Sequence, residues 1–333
     1  MSESKFGVVG IGNAIVDVLG DADDGFLARH DMPKGAMTLI DTARAEELYA
    51  EMSGSVECSG GSAANTIAGF ASLGGRPAFI GKVRDDALGQ VFAREIRASG
   101  VAFDATAATT GPPTGRCLIF VTPDAQRTMQ TFLGVSATLG PDDVDPDTVA
   151  AARITFLEGY LWEEGAAKDA FLKAASIAHD AGRKVALTLS DPFCVERHRA
   201  EFRDLVEHHV DILFANEVEA LSLYETTDFE EAVRRLQGHC EVAAVTRSAE
   251  GSVVLANGET QHFPAEPVER VVDTTGAGDL YAAGFLFGLS SGADMATCAR
   301  LASIAAGEII SHYGARPETS LRELVKTKMG RVG

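Results

Sequence analysis

The segment Asp273-Thr274-Thr275-Gly276-Ala277-Gly278-Asp279, set directly before the apolar run Leu280–Leu289, combines residue types that can do phosphate chemistry. Two closely spaced glycines let successive backbone N–H groups point into one concavity at a helix start, where the helix dipole favours negative charge. A carboxylate in the same place, Asp279, is unsuited to holding phosphate. It can instead take the proton of an alcohol whose oxygen attacks phosphorus, while the amides stabilise charge on the transferred group. The plainer reading is an Asp N-cap after a glycine-rich turn, and this segment alone leaves both open.

Three further segments carry polar groups at element ends. Gly60-Gly61-Ser62-Ala63-Ala64-Asn65-Thr66 offers close backbone approach and a hinge, with Ser62 as a candidate N-cap and Asn65 on the first helical turn; a simple helix start is the alternative. Gly10-Ile11-Gly12-Asn13-Ala14-Ile15 lacks the third glycine of a dinucleotide fingerprint and no clean helix follows, which excludes an NAD site. What remains is a strand end bearing Asn13 and Asp17, either to bind sugar hydroxyls or as a turn-forming Asn and a solvated Asp. Asn216-Glu217-Val218-Glu219 has the spacing of a capping box. No G-x-x-x-x-G-K-[ST] run is present, so a P-loop is not supported.

These groups need a scaffold that brings strand ends and helix starts together. Short apolar runs at Phe6–Gly12, Ala78–Gly81, Ile154–Leu157, Val185–Leu189, Val210–Phe214 and Val242–Thr246 read as buried strands. Between them, Ser62–Leu73, Ala87–Ala98, Ala166–Ala181, Glu217–Tyr224 and Phe229–Leu236 have helical period. The alternation predicts an α/β fold with a mostly parallel central sheet covered by helices. Residues 13–40 and 113–133 break the rhythm. The second contains a hairpin signal, Arg116–Val121 and Arg127–Leu133 around Thr122-Pro123-Asp124, and the two regions are expected to pair as a small antiparallel sheet, a lid on a single domain spanning 1–333; a plain edge hairpin is the alternative.

The 333 residues are 46% hydrophobic and 23% charged, enough for a sizeable core. A formal charge of -19 repels nucleic acid backbones. Cys58, Cys117, Cys194, Cys240 and Cys298 are scattered and odd in number, which argues against a disulfide framework or zinc site. With no leader pattern and no apolar run near the length of a membrane span, a cytoplasmic protein is expected.

Together the two glycine segments resemble the N-terminal and C-terminal signatures of the ribokinase-like (PfkB) carbohydrate and nucleoside kinases, in the right order and separation, and the likeness runs over nearly the whole chain. Within that family, Gly12–Asp17, Pro113–Cys117, Leu187–Phe193 and Val210–Ala220 are most similar to adenosine kinases. The resemblance implies a three-layer α/β/α sandwich with a small β-sheet lid and transfer of the γ-phosphate of ATP to a nucleoside 5′-hydroxyl, adenosine foremost. A sugar kinase and a catalytically silent nucleoside-binding protein are the alternatives. It implies Asp279 as base, the Gly276, Ala277 and Gly278 amides as anion hole, and Arg127 as a lid arginine reaching the phosphates. Asn13, Asp17, Gly60, Gly61 and Asn65 would hold the ribose, with Tyr160, Trp162 or Phe193 against the base. Thr246, Gly251, Thr275 and Asn216 would face ATP, and Asn216 with Glu219 would organise Mg²⁺ largely through water. Ser248 stands where the family's Thr-x-Gly-x-x-Gly loop has glycine, and Pro33–Met37 departs from the animal adenosine kinases. A monovalent cation near Gly314-Ala315 and the choice of monomer or homodimer stay open.

Overall fold

The computed structural model describes residues 4–52, 55–124, 126–163 and 165–330. Apolar runs too short for helices become strands of an eight-stranded sheet. From one edge to the other its order is Glu259–Phe263, Ser252–Ala256, Val242–Thr246, Ile212–Asn216, Lys184–Thr188, Ala152–Glu158, Phe6–Ile11 and Pro77–Ile80. All neighbours pair in parallel except at the Ser252–Ala256 strand, which is antiparallel to both of its neighbours. That hairpin turns at Asn257 and Gly258, both at positive φ (54° and 77°), the geometry an Asn-Gly pair favours.

Side-chain alternation splits the core in two. Leu213 and Ala215 face one layer and Ile212 and Phe214 the other; Val185 and Leu187 oppose Ala186 in the same way. The first layer is closed by helices Gly165–Asp180, Pro192–His208, Glu217–Tyr224 and Phe229–Leu236, the second by Ser62–Ser72, Ala87–Ala98, Ala277–Ser290 and Met295–Ile309. This is the expected three-layer sandwich.

A second, five-stranded sheet has the order Met37–Leu39, Arg127–Phe132, Gly115–Val121, Ile15–Asp21 and Val56–Gly60. It is mixed, not the antiparallel sheet that the sequence predicts. Gly115–Val121 and Ile15–Asp21 both run outward from the large sheet and so pair in parallel, Ile15 opposite Gly115. The Val56–Gly60 strand was missed because Val-Glu-Cys-Ser-Gly lacks apolar alternation. One face, with Val16, Val18, Leu118 and Phe120, joins the second core layer. The other carries Ile15, Cys117, Ile119, Met129 and Leu133.

The chain passes from the large sheet to the small one at Gly12–Ala14, and from the small sheet into helix Ser62–Ser72 at Gly61. Both crossings need glycine. A Cβ on Gly12 would lie 2.3 Å from a Glu158 carboxylate oxygen, and Gly61 has φ +96° with its Cβ position 2.3 Å from the Asn13 carbonyl oxygen.

Candidate active site

A cleft of about 760 Å³ opens between the two sheets, at the C-terminal ends of the parallel strands where α/β folds gather ligand groups. Glu158, Thr188, Asn216 and Thr246 reach it from consecutive strands of the large sheet, and Asp17, Cys117 and Thr131 descend from the small one.

Asp279 stands on the floor. Helix Ala277–Ser290 starts from Gly276, in the left-handed region (φ 79°), with no side-chain cap. Asp279 therefore lies inside the first turn, and the N-cap reading is not what the chain adopts. Its carboxylate turns across to a different helix, accepting from Ser62 Oγ (2.6 Å) and Asn65 Nδ2 (3.1 Å). Ser62 follows the uncapped Gly61, so its hydroxyl serves Asp279 rather than capping its own helix. Asn65 Oδ1 is buried without a protein partner, beside the cleft. Thr275, Gly276, Ala277 and Gly278 line the same floor.

Asn13 is buried and held rigidly: its Nδ2 donates to Glu158 (2.8 Å) and its Oδ1 accepts from Ser136 (2.9 Å). Glu158 also accepts from the backbone amide of Ala63 (2.8 Å), which fixes the first turn of the Ser62–Ser72 helix. Sequence reading missed Glu158; the only signal was a carboxylate ending an apolar strand. Asp17 enters the cleft past Gly60, whose missing Cβ would lie 2.4 Å from the carboxylate. Gly61 lines the cleft.

Burial sets the charge balance. It pushes the Asp17 carboxyl up to about 6, against the opposing charges of Arg316 and Arg127. Glu158 rises to about 7, again through burial, despite three N–H donors. Asp279 is also raised by burial, with Ser62, Asn65 and then Arg316 pulling it back. Arg316, also missed, is a loop arginine before a proline and has no motif around it.

At the other end of the cleft, Asn216 and Glu219 form the capping box on helix Glu217–Tyr224. Glu219 accepts from the Asn216 amide (2.9 Å) and Nδ2 (2.6 Å), and burial lifts its carboxyl to about 7. Thr246 lines the cleft, but Gly251 does not. Gly251 closes the turn after Arg247, where a Cβ would strike the Phe263 carbonyl oxygen (2.0 Å); packing against the edge hairpin explains the glycine. Ser248 adopts φ +49°, the left-handed conformation glycine would take without strain.

Arg127 is paired with Asp273 (2.8 Å), and its guanidinium lies over Tyr313, so it borders the Asp273–Gly278 turn rather than pointing free into the cleft. Tyr160 and Phe193 line the cleft, Phe193 with 67% of its surface exposed at the mouth. Trp162 does not. Its ring is buried against Phe171 and Phe202, and Nε1 donates to Glu201 (2.7 Å), so the large apolar surface that suggested a base contact is spent on the core.

Among the described residues no helix is long and apolar enough to cross a membrane.

Residues 35–321 match the model of the pfkB family carbohydrate kinases. The structure is similar to the adenosine kinase of Sinorhizobium meliloti (53% identity, TM-score 0.90, 97% of this chain and 99% of that one covered). With the same TM-score, 0.90, it is similar to a probable sugar kinase of Rhizobium etli (50% identity, 97% of this chain and 98% of that one covered). The adenosine kinase of Saccharomyces cerevisiae is 26% identical over 315 residues, 87% of this chain and 90% of the yeast protein.

Proposed function

The chain belongs to the pfkB family of carbohydrate kinases, and from that premise we propose that it transfers the γ-phosphoryl group of ATP to the 5′-hydroxyl of a nucleoside, adenosine foremost. As a family member it is a phosphotransferase with a hydroxyl acceptor. The observation that carries the phosphoryl-transfer chemistry is the cross-helix grip on Asp279: a carboxylate held by Ser62 and Asn65 next to the Gly276–Gly278 turn.

Asp279 accepts the proton of the attacking hydroxyl as the oxygen closes on phosphorus. Ser62 and Asn65 keep its lone pairs aimed while burial raises its basicity. The amides of Gly276 and Gly278 beside Asp279 would stabilise charge on the transferred group, and Arg127 near them would add a positive charge; the Ala277 amide, expected to share that role, donates instead to the Thr274 carbonyl (3.2 Å). Asn13, locked by Glu158 and Ser136, and Asp17 present polar groups to the ribose hydroxyls. Both Glu219 oxygens already accept from Asn216, which fits a divalent ion held through water rather than directly. Bound there, Mg²⁺ would neutralise phosphate charge. The small sheet would cover the cleft and exclude water that would otherwise hydrolyse ATP.

The walls favour a nucleoside over a free sugar. The small sheet turns Ile15, Cys117, Ile119, Met129 and Leu133 toward the cleft, with Tyr160 and Phe193 also lining it. A flat heterocycle can fill such a slot and stack on an aromatic ring, whereas a free sugar would leave hydroxyls unpaired against apolar carbon. The test is ADP release with Mg·ATP over adenosine, other nucleosides, ribose and fructose. Adenosine should give the highest kcat/KM. Turnover confined to the free sugars would replace this reading with that of a sugar kinase.

A further inference from the structure

Arg316 is not among the residues lining the cleft, yet it touches the turn that shapes it. Its Nε and Nη2 donate to the carbonyl oxygen and hydroxyl of Ser59 (both 3.1 Å), and its Nη1 donates to the Ala64 carbonyl (2.7 Å). These acceptors bracket the Gly60-Gly61 pair that links the small sheet to helix Ser62–Ser72. The same loop also meets the Asp273–Gly278 turn: the Gly314 amide donates to Asp273 (3.1 Å), and a Cβ on Gly276 would lie 3.0 Å from the Ala315 methyl. Residues 314–316 thus join the two glycine turns that lie far apart in sequence. One side chain with donors in a rigid fork can bridge two acceptor sites at once; an ammonium cannot hold that geometry.

We infer that Arg316 is a positioning residue, clamping the Ser59–Ala64 turn so that Ser62 and Asn65 stay on Asp279, and lending positive charge to the two carboxylates Asp279 and Asp17. The inference rests on the base role of Asp279. The charged and titratable groups around this pair are Arg316 and Arg127 on the positive side. On the other side stand Glu158, Glu219, Glu95 near Arg316, the Tyr160 hydroxyl and the Cys58 and Cys117 thiols, together with the effect of Asp279 on Asp17. Arg316 opposes the burial-driven rise of both carboxyls. Its own value is pulled down by burial to about 10, so it remains a cation at neutral pH.

The test is the pH profile of kcat/KM for wild type, Arg316→Gln and Arg316→Lys. Loss of the cation raises carboxylate pKa values, so the acid limb of Arg316→Gln should move upward by about one pH unit, with kcat down about 30-fold at pH 7.5. Arg316→Lys should keep the limb in place and still lose about 10-fold in kcat, because the bridge is broken while the charge stays. An unmoved limb in Arg316→Gln overturns the inference. Wild-type kcat in Arg316→Lys overturns it equally, and that arm decides alone if the Gln variant does not fold. A wild-type enzyme with no turnover on any acceptor would instead defeat the kinase chemistry at Asp279, and this inference with it.

Discussion

The two ends of the cleft are built on opposite principles. Around Asp279, the decisive hydrogen bonds join residues far apart in sequence: Ser62 and Asn65 to Asp279, Ala63 and Asn13 to Glu158, Ser59 and Ala64 to Arg316. Around Asn216 and Thr246, they are local. Glu219 bonds back three residues to Asn216, and the turn after Thr246 is closed by Arg247 N to the Gly251 carbonyl (2.8 Å). Local bonds form with the helix or turn that contains them. Long-range ones exist only once the two sheets are docked, so the Asp279 end depends on the whole fold. It also gathers three carboxyls raised by burial, Asp17, Glu158 and Asp279, in one small volume. Such a site trades stability for chemistry, and substitutions there should show it.

The largest effect belongs to Asp279→Asn. The amide keeps the shape and can still accept from Ser62, but it cannot take a proton. We expect kcat to fall by about 10³-fold or more while the protein folds normally and still binds ATP. An Asn variant with near-normal kcat would take the base role from Asp279 and erase the chemical contrast between the two ends.

Asp17→Asn comes next and tests the trade itself. Asp17 has a folded value of about 6, above that of an unfolded carboxyl. Below about pH 4 it is neutral in both states; as pH rises through 6, the folded protein must hold a buried anion and this group's stabilising contribution is lost. The neutral isostere should therefore raise Tm at pH 8 by about 2–6 °C, through about 1–3 kcal/mol, with the gain fading as pH falls through 6. In the same variant kcat/KM for the acceptor should drop about 100-fold. Thermal scans across pH 4.5–8 decide; a Tm gain independent of pH, or a loss at pH 8, would show that Asp17 is not a strained charge.

The same contrast explains what the sequence revealed. Gly276–Asp279 and Asn216–Glu219 were legible because all their parts lie within a few residues, and the six short apolar runs were legible because burial on both faces demands them. Glu158 and Arg316 were not: one ends an ordinary strand, the other precedes a proline, and each acquires its role from partners at least 95 residues away. Trp162 was misread for the same reason, since only the docking of Phe171 and Phe202 shows that its ring belongs to the core. The mixed pairing of the small sheet followed from where its strands begin, which local periodicity does not encode. The edge hairpin was different. Asn257-Gly258 is a strong turn signal that lay in plain view after the apolar run Ser252–Ala256.

Ser248→Gly should give the smallest effect and probes the local end. Ser248 sits exposed at φ +49°, in a turn already closed by its own backbone. Glycine removes the left-handed strain of about 1 kcal/mol but adds freedom to the unfolded chain of about 0.5–1 kcal/mol, so the two nearly cancel. Tm should shift by no more than about 2 °C. Because the turn follows Thr246, removing the Ser248 side chain should let ATP approach the turn's backbone amides more closely, lowering KM for ATP about twofold and leaving kcat unchanged. ATP titrations at saturating acceptor measure this directly. A large fall in kcat would mean that the turn is coupled to Asp279 after all, and that the two ends are one cooperative unit rather than a local motif facing a long-range one.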